Sequence, residues 1–160
     1  MDNMQLSKTE GKELKSQEIA AETATLLHQC ALSCKQATDS FSQLIPIITD
    51  EGLRLLVRRY GDLCEGCSEG CRRLLKEREK IREKNESEPR SSWLSSQVKL
   101  AFRSGTSTVA ALLFDGCHAM IRDLYAALHR APCADGESRR TVYRLIGTAE
   151  DFREELKDFL

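Results

Sequence analysis

The stretch "LLHQCALSCKQATDSFSQLIPIITDEGLRLLVRRY" (residues 26–60) holds two apolar repeats separated by a proline. Apolar residues in its first part recur every three or four positions, as on one face of an α-helix. They are Leu27, Cys30, Cys34, Ala37, Phe41, Leu44 and Ile48. Pro46 disfavours continuation of that helix, and Thr49 or Asp50 can cap a second one. The stretch therefore predicts two helices joined by a short turn.

The second helix carries the same spacing and adds three cysteines to it. Its apolar positions are Leu53, Val57, Tyr60, Cys64, Cys67, Cys71 and Leu74. The charged run 76–84 then fits a solvated helix end, since opposite charges recur three positions apart. Residues 85–92 contain Pro89 and form the predicted loop, with Ser92 as the next cap.

Two further helices follow from the same periodicity. The third is predicted over about 93–130, with apolar positions at Phe102, Thr106, Val109, Leu113, Cys117, Met120, Leu124 and Leu128. After a turn at 131–138, the fourth carries Val142, Leu145, Ala149, Phe152, Leu156 and Phe159. Four amphipathic helices and short loops predict an all-α, antiparallel up-down four-helix bundle. We assign it to residues 17–160, after a flexible polar segment at 1–16.

Composition argues against several classes of function. The 160 residues carry a net charge of −1, so no overall field attracts nucleic acid or anionic lipid. The longest aliphatic run, at 109–114, is too short to span a membrane, and the first 16 residues lack the apolar core of a signal peptide. We expect a cytoplasmic, non-enzymatic protein that binds neither nucleic acid nor membrane. A protein partner or a homo-oligomer stays open.

The cysteines suggest a metal site. If the chain reverses at residue 49, Cys34 lies level with Cys64 and Cys30 level with Cys67. Thiolates three or four positions apart on one helix converge, and such soft ligands suit Cu(I) or Zn(II). We therefore predict a soft-metal site formed by Cys30, Cys34, Cys64 and Cys67, with Cys71 and Cys117 as supplementary ligands.

Other interpretations of the same cysteines stay open. Buried free cysteine often acts as a small apolar side chain, so inert core packing in a structural or interaction protein is the alternative. A thiol-redox enzyme is a third possibility and requires one strongly acidified thiol. Gly61, Gly66 and Gly70 interrupt the second helix at about 1 kcal/mol each. Close packing of another helix is the expected reason for them, and a segment that must flex to admit a ligand is the alternative.

Polar residues elsewhere offer weaker sites. Asp115 and His118 are three positions apart, but no second such pair exists to complete a di-iron centre. His28 is expected at the edge of the core. Cys133 lies in the turn 131–138 and is expected to be exposed and free.

Two resemblances accompany these patterns. In "LIPIITDEGL" (44–53), "STVAALLFDGCHAMI" (107–121) and the ending "EELKDFL" (154–160), the chain resembles small, functionally uncharacterised bacterial ferritin-like bundle proteins over 27–160. In "CALSC" (30–34) and "CEGCSEGC" (64–71) it is similar in style to four-helix copper-storage proteins, which hold Cu(I) on inward thiols. Those proteins carry many more cysteines. The first resemblance implies the fold, and the second implies binding of a few ions.

Overall fold

The computed structural model describes residues 2–78 and 105–160, with side chains from Ser7 onward. Four α-helices and two 3₁₀ turns make up these residues, and no strand occurs among them. The elements are α1 (Asp2–Leu44), a 3₁₀ turn (Ile45–Ile47), α2 (Glu51–Arg78), α3 (Thr106–Arg130), α4 (Gly136–Leu156) and a second 3₁₀ turn (Lys157–Phe159). The all-helical prediction is confirmed.

The connection between α1 and α2 follows the residues that the sequence singled out. Pro46 sits within the 3₁₀ turn that ends α1, and the backbone of Ile48 is extended. The side chain of Asp50 then accepts a hydrogen bond from the backbone N–H of Leu53 at 2.9 Å. Asp50, and not Thr49, therefore caps α2, because its carboxylate satisfies an otherwise unpaired N–H of the first turn.

The predicted third helix is interrupted at Gly105. Gly105 has an extended backbone (φ −74°, ψ −176°), and α3 begins at the next residue, so a helix continuous from 93 to 130 is not formed. The charged run beyond Arg78, the loop 85–92 and the predicted helix start at 93 lie outside the described residues.

Where the structure describes it, the polar segment at 1–16 is the beginning of a helix. Residues 2–16 belong to α1, and residues 7–18 are all exposed. Burial along α1 begins at Thr23, which is 1% exposed and accepts a hydrogen bond from the backbone N–H of Asp135 at 2.9 Å. α1 therefore enters the core only from about the level of the α3–α4 turn.

The core forms where the apolar stripes of the helices meet. α1 packs against α2, α3 and α4, while α4 also packs against α2 and α3. Almost all the predicted stripe residues that the structure describes are buried, including the cysteines at positions 30, 34, 64, 71 and 117, while Phe102 lies outside the described residues. Phe152 joins α4 to α1 and α2, since its ring stacks on Tyr60 at 4.4 Å and meets Phe41 edge-on at 5.5 Å. Among the described residues, no helix is long and apolar enough to cross a membrane.

Candidate metal centre

Three thiols from two helices converge in the core. The sulfur atoms of Cys30 on α1 and of Cys67 and Cys71 on α2 all lie within 4.8 Å of one another. Cys67 and Cys71 are four residues apart and so project from one face of α2. Cys30 lies on the facing side of α1 and is fully buried. The packing of α1 on α2 thus assembles a three-sulfur group.

A fourth thiol extends this group. Cys34, one turn after Cys30, interacts by side-chain hydrogen bonds with both Cys30 and Cys67. It is fully buried, as are Cys30 and Cys71, whereas Cys67 is half-buried. We call Cys30, Cys34, Cys67 and Cys71 the thiol cluster.

The four thiols of the cluster differ in pKa: that of Cys67 is lowered and those of the other three are raised. Hydrogen bonds from Cys30, Cys34 and Cys71, with the nearby positive charge of Arg144, lower the pKa of Cys67. A thiolate that accepts several hydrogen bonds is stabilised in its charged form. Cys67 is therefore the first of the four to lose its proton, and the other three S–H groups stabilise that charge.

The remaining cluster thiols stay protonated at neutral pH. Hydrogen bonding with Cys34, followed by Cys67, Cys71 and burial, raises the pKa of Cys30. For Cys34 and Cys71, the hydrogen bond with Cys30 favours ionisation, but the hydrogen bond with Cys67 and burial outweigh it. The pKa of Cys34 is raised, and that of Cys71 is raised to about 12. A second negative charge in the cluster therefore needs a compensating cation.

Cys64 and Cys117 are not members of the three-sulfur group, although Cys64 is close enough for the charge of Cys67 to act on it. Together they line a very small cavity, of about 10 Å³, beside the aromatic rings of Phe41, Tyr60 and Phe152. Burial raises the pKa of each thiol to about 12. The structure therefore brings Cys71, predicted as supplementary, into the three-sulfur group and sets Cys64, predicted as a main ligand, beside the aromatic residues.

A surface groove reaches the cluster at Cys67. The groove has a volume of about 430 Å³ and is lined by residues of α2 and α4, among them Cys67, Gly66 and Gly70. A Cβ atom built on Gly66 or Gly70 meets no atom within 4 Å. Close packing is therefore the wrong explanation for these two glycines, which instead leave space beside the half-buried thiol. At Gly61 a Cβ would touch Phe41 at 3.5 Å, an ordinary contact.

A second group of potential ligands lies at the α3–α4 turn. Ligand atoms of Glu18, Glu22 and Cys133 lie within 4.8 Å of one another. The Glu22 carboxylate accepts a hydrogen bond from the backbone N–H of Cys133, and its proximity raises the pKa of that thiol. Sequence reasoning missed this group because Cys133 is more than 100 residues away from the two glutamates. Hydrogen bonding of the turn to α1 explains the arrangement without a metal.

The histidines stand apart from the cluster. The ring of His118 meets Phe114 edge-on at 4.9 Å and approaches the guanidinium of Arg153 at 3.3 Å. His28 is exposed. Among the described residues, the three-sulfur group of Cys30, Cys67 and Cys71 includes no imidazole.

Known proteins add no functional assignment to this geometry. Neither family models, curated proteins nor solved structures provide a match to the chain. The functional interpretation therefore depends on the chemistry of the thiol cluster and its groove.

Proposed function

We propose that this protein binds Cu(I) through the thiol cluster, with Cys30, Cys67 and Cys71 as ligands and Cys34 as an adjacent fourth thiol. One observation carries the proposal: three sulfur atoms from two packed helices lie within 4.8 Å of one another. A central metal ion bonded to three sulfurs needs only small side-chain adjustments from such a starting geometry, since metal–sulfur bonds are about 2.3 Å long in zinc sites.

The donor set favours Cu(I) over harder or higher-coordinate ions. Thiolates are soft ligands, which select Cu(I), zinc and iron–sulfur clusters over Mg²⁺ or Ca²⁺. Structural zinc sites take four ligands in a tetrahedron, whereas the mutually close set here has three sulfurs. Zn(II) bound with Cys34 as the fourth ligand is the nearest competitor.

Metal binding would also resolve the electrostatic conflict within the cluster. Deprotonation of Cys30 or Cys71 beside the Cys67 thiolate is disfavoured, because two or three neighbouring thiolates would repel one another. A bound cation replaces the protons, so uptake releases protons and weakens as the pH falls.

The arrangement of the helices forms part of the proposal. An antiparallel up-down, ferritin-like bundle is supported by two contacts at opposite ends of the α1–α2 pair. Phe41, late in α1, faces Gly61, early in α2, whereas Cys30 faces Cys71, one to two turns from the end of α2. A non-catalytic role in the reducing cytoplasm would keep all seven cysteines available as thiols.

A competition titration tests Cu(I) binding. Reduced protein is titrated anaerobically with Cu(I) against a chromogenic chelator, and the bound metal per chain is measured. Cys30→Ser/Cys67→Ser should lose uptake, because it removes one thiol from each helix of the three-sulfur group. Cys64→Ser/Cys117→Ser is the matched control and should keep it. No uptake by the wild type, or equal loss in both variants, would reject the proposal. The same titration with Zn(II) decides between the metals.

A second candidate function, thiol–disulfide exchange, is favoured by the position of Cys67. The lowered pKa of Cys67, its partial exposure and the adjacent S–H groups are features of redox-active cysteines. Its thiolate would attack a substrate disulfide and release one thiolate. A neighbouring cysteine would then displace the second thiol and form an internal disulfide. Sustained turnover of a disulfide substrate by metal-free protein with a reductant would establish this function, and a Cu(I)-binding protein should show none.

A further inference from the structure

The groove beside Cys67 has an excess of positive charge. Arg73 of α2 and Arg140 and Arg144 of α4 line it, together with two acidic residues, Asp62 and Glu137. The carboxylate of Glu137 is already paired with the guanidinium of Arg78, a bond of 2.7 Å. Of the two acidic residues, Asp62 alone is then left to offset the charge of the three arginines. The groove therefore carries a net positive charge and favours an anionic ligand.

The shape of the groove leads such a ligand to the thiol cluster. Cys67 is the cluster member that lines the groove, while Gly66 and Gly70 leave open space on either side of it along α2. A volume of about 430 Å³ lies within the range of small-molecule sites, roughly 300–1,000 Å³. The groove is thus large enough to admit a metal ion together with a small molecule bound to it.

We propose that this groove receives Cu(I) as its complex with an anionic, carboxylate-bearing low-molecular-weight thiol, and that the arginines bind the carboxylates while the metal passes to Cys67. This inference rests on the proposed Cu(I) site and adds the form in which the metal arrives. Arg140 and Arg144 lie one turn apart on α4 and so project side by side over the groove. Guanidinium groups pair well with carboxylates because both are planar and bond in a bidentate manner.

The transfer is a ligand exchange without a change of oxidation state. The incoming complex holds Cu(I) between two thiolates of the small thiol. The sulfur of Cys67 bonds to the metal as one copper–sulfur bond to the carrier breaks and one carrier thiolate leaves. The thiol of Cys30 then replaces the second carrier sulfur, and its proton passes to that carrier, which departs as a thiol. Cu(I), sulfur and protons are all conserved.

Two donors that differ in charge test the inference. Cu(I) is supplied either as its glutathione complex, which is anionic, or as its cysteamine complex, which is cationic, and the rate of transfer is followed by stopped-flow spectroscopy. The test variant is Arg140→Gln/Arg144→Gln. Arg122→Gln/Arg130→Gln on α3 removes the same charge from exposed positions away from the groove and serves as the control.

The expected result is selective. Arg140→Gln/Arg144→Gln should slow transfer from the glutathione complex by about tenfold, within the range of electrostatic steering, because the anion loses its attraction. Transfer from the cationic cysteamine complex should be as fast or faster, because the same charges repel it, and the final stoichiometry should not fall. Added salt should reduce the wild-type rate towards that of the variant. Equal slowing with both donors, or no slowing, would overturn the inference. Absence of Cu(I) uptake by the wild type from either donor would instead overturn the proposed function.

Discussion

The sulfur of Cys30 on α1 lies within 4.8 Å of the sulfur of Cys67 on α2, so the two longest helices meet through their thiols. Cys30 is fully buried and Cys67 is half-buried beside a surface groove. The pair therefore joins the interior of the bundle to a route from solvent. A metal held between them would crosslink α1 to α2, and this has a consequence for stability.

Loading with Cu(I) should raise the melting temperature. Metal that binds only the folded chain stabilises it by about 2.7 kcal/mol at one hundred times the dissociation constant. For a chain of this size that corresponds to an increase of about 5–10 °C. Thermal unfolding of the reduced protein, followed by circular dichroism with and without Cu(I), measures the shift. A strong Cu(I) chelator should reverse it, and Cys30→Ser/Cys67→Ser should show none. An unchanged melting temperature in the wild type would contradict metal binding at the helix interface.

Alkylation of the native protein should begin at Cys67. Its pKa is lowered, first by the hydrogen bond from Cys30, and the thiol lies on the groove, so its thiolate form is more populated than that of the other cluster thiols and is accessible. The rate at Cys67 with iodoacetamide should therefore rise less steeply between pH 7 and 9 than the rate at Cys64. A thiol of ordinary or raised pKa, such as Cys64 at about 12, gains reactivity by about tenfold per pH unit.

Peptide mapping by mass spectrometry after short exposures assigns the modified residue. Cys64 and Cys117 provide the internal control, because both are buried and have a raised pKa. Labelling of all cysteines at one rate, or a steep rise with pH at Cys67, would be incompatible with the described cluster.

Replacement of Gly66 by alanine should stabilise the protein. No atom lies within 4 Å of the new Cβ, and alanine in a helix interior is favoured over glycine by up to about 1 kcal/mol. The expected increase in melting temperature is about 2–4 °C. Gly52→Ala is the matched control on α2, because its Cβ would lie 3.2 Å from the carboxylate of Asp50, which caps the helix. It should gain less than Gly66→Ala. Destabilisation by Gly66→Ala would mean that the space beside Cys67 is filled in solution.

Asp135 should contribute to stability in two separable ways. Its carboxylate accepts a hydrogen bond from the N–H of Ser138 at 2.8 Å, which caps α4, and it pairs with Arg78 at 2.7 Å. Asp135→Ala should cost about 1 kcal/mol in urea unfolding at pH 7. Asp135→Asn keeps a capping side chain without the charge and should cost less. Equal losses would assign the effect to the ion pair.

The same carboxylate predicts a pH dependence. Burial acts to raise its pKa, but the hydrogen bond from Ser138 and the charge of Arg78 outweigh burial and lower the pKa below 3.8. A carboxyl group with a depressed pKa in the folded state stabilises the protein above its unfolded pKa. The stability difference between wild type and Asp135→Ala should therefore be fully present at pH 5–7 and shrink as the pH falls below about 3.8. A difference that grows on acidification would contradict this.

Helical periodicity was sufficient to predict the core, because burial in a helix pair depends on a stripe of side chains every three or four residues. It could not predict which cysteines meet. That depends on the register of α1 against α2. The sequence placed only Cys67 level with Cys30, whereas the structure brings both Cys67 and Cys71 close to it. The 3₁₀ turn at Ile45–Ile47 extends α1 by three residues, so the chain reverses later. A given residue of α1 then faces a residue further along α2. The groove was also not predicted. A glycine packed closely against another helix and a glycine that borders an open groove cannot be told apart from the sequence.

X-ray absorption at the copper edge of Cu(I)-loaded protein tests the thiol cluster most directly. Wild type and Cys64→Ser should both show a first shell composed of sulfur alone, because Cys64 lies outside the three-sulfur group. Cys67→Ser should lose a sulfur neighbour or fail to load. Nitrogen or oxygen neighbours in the wild type, or a spectrum unaltered by Cys67→Ser, would contradict coordination by this cluster.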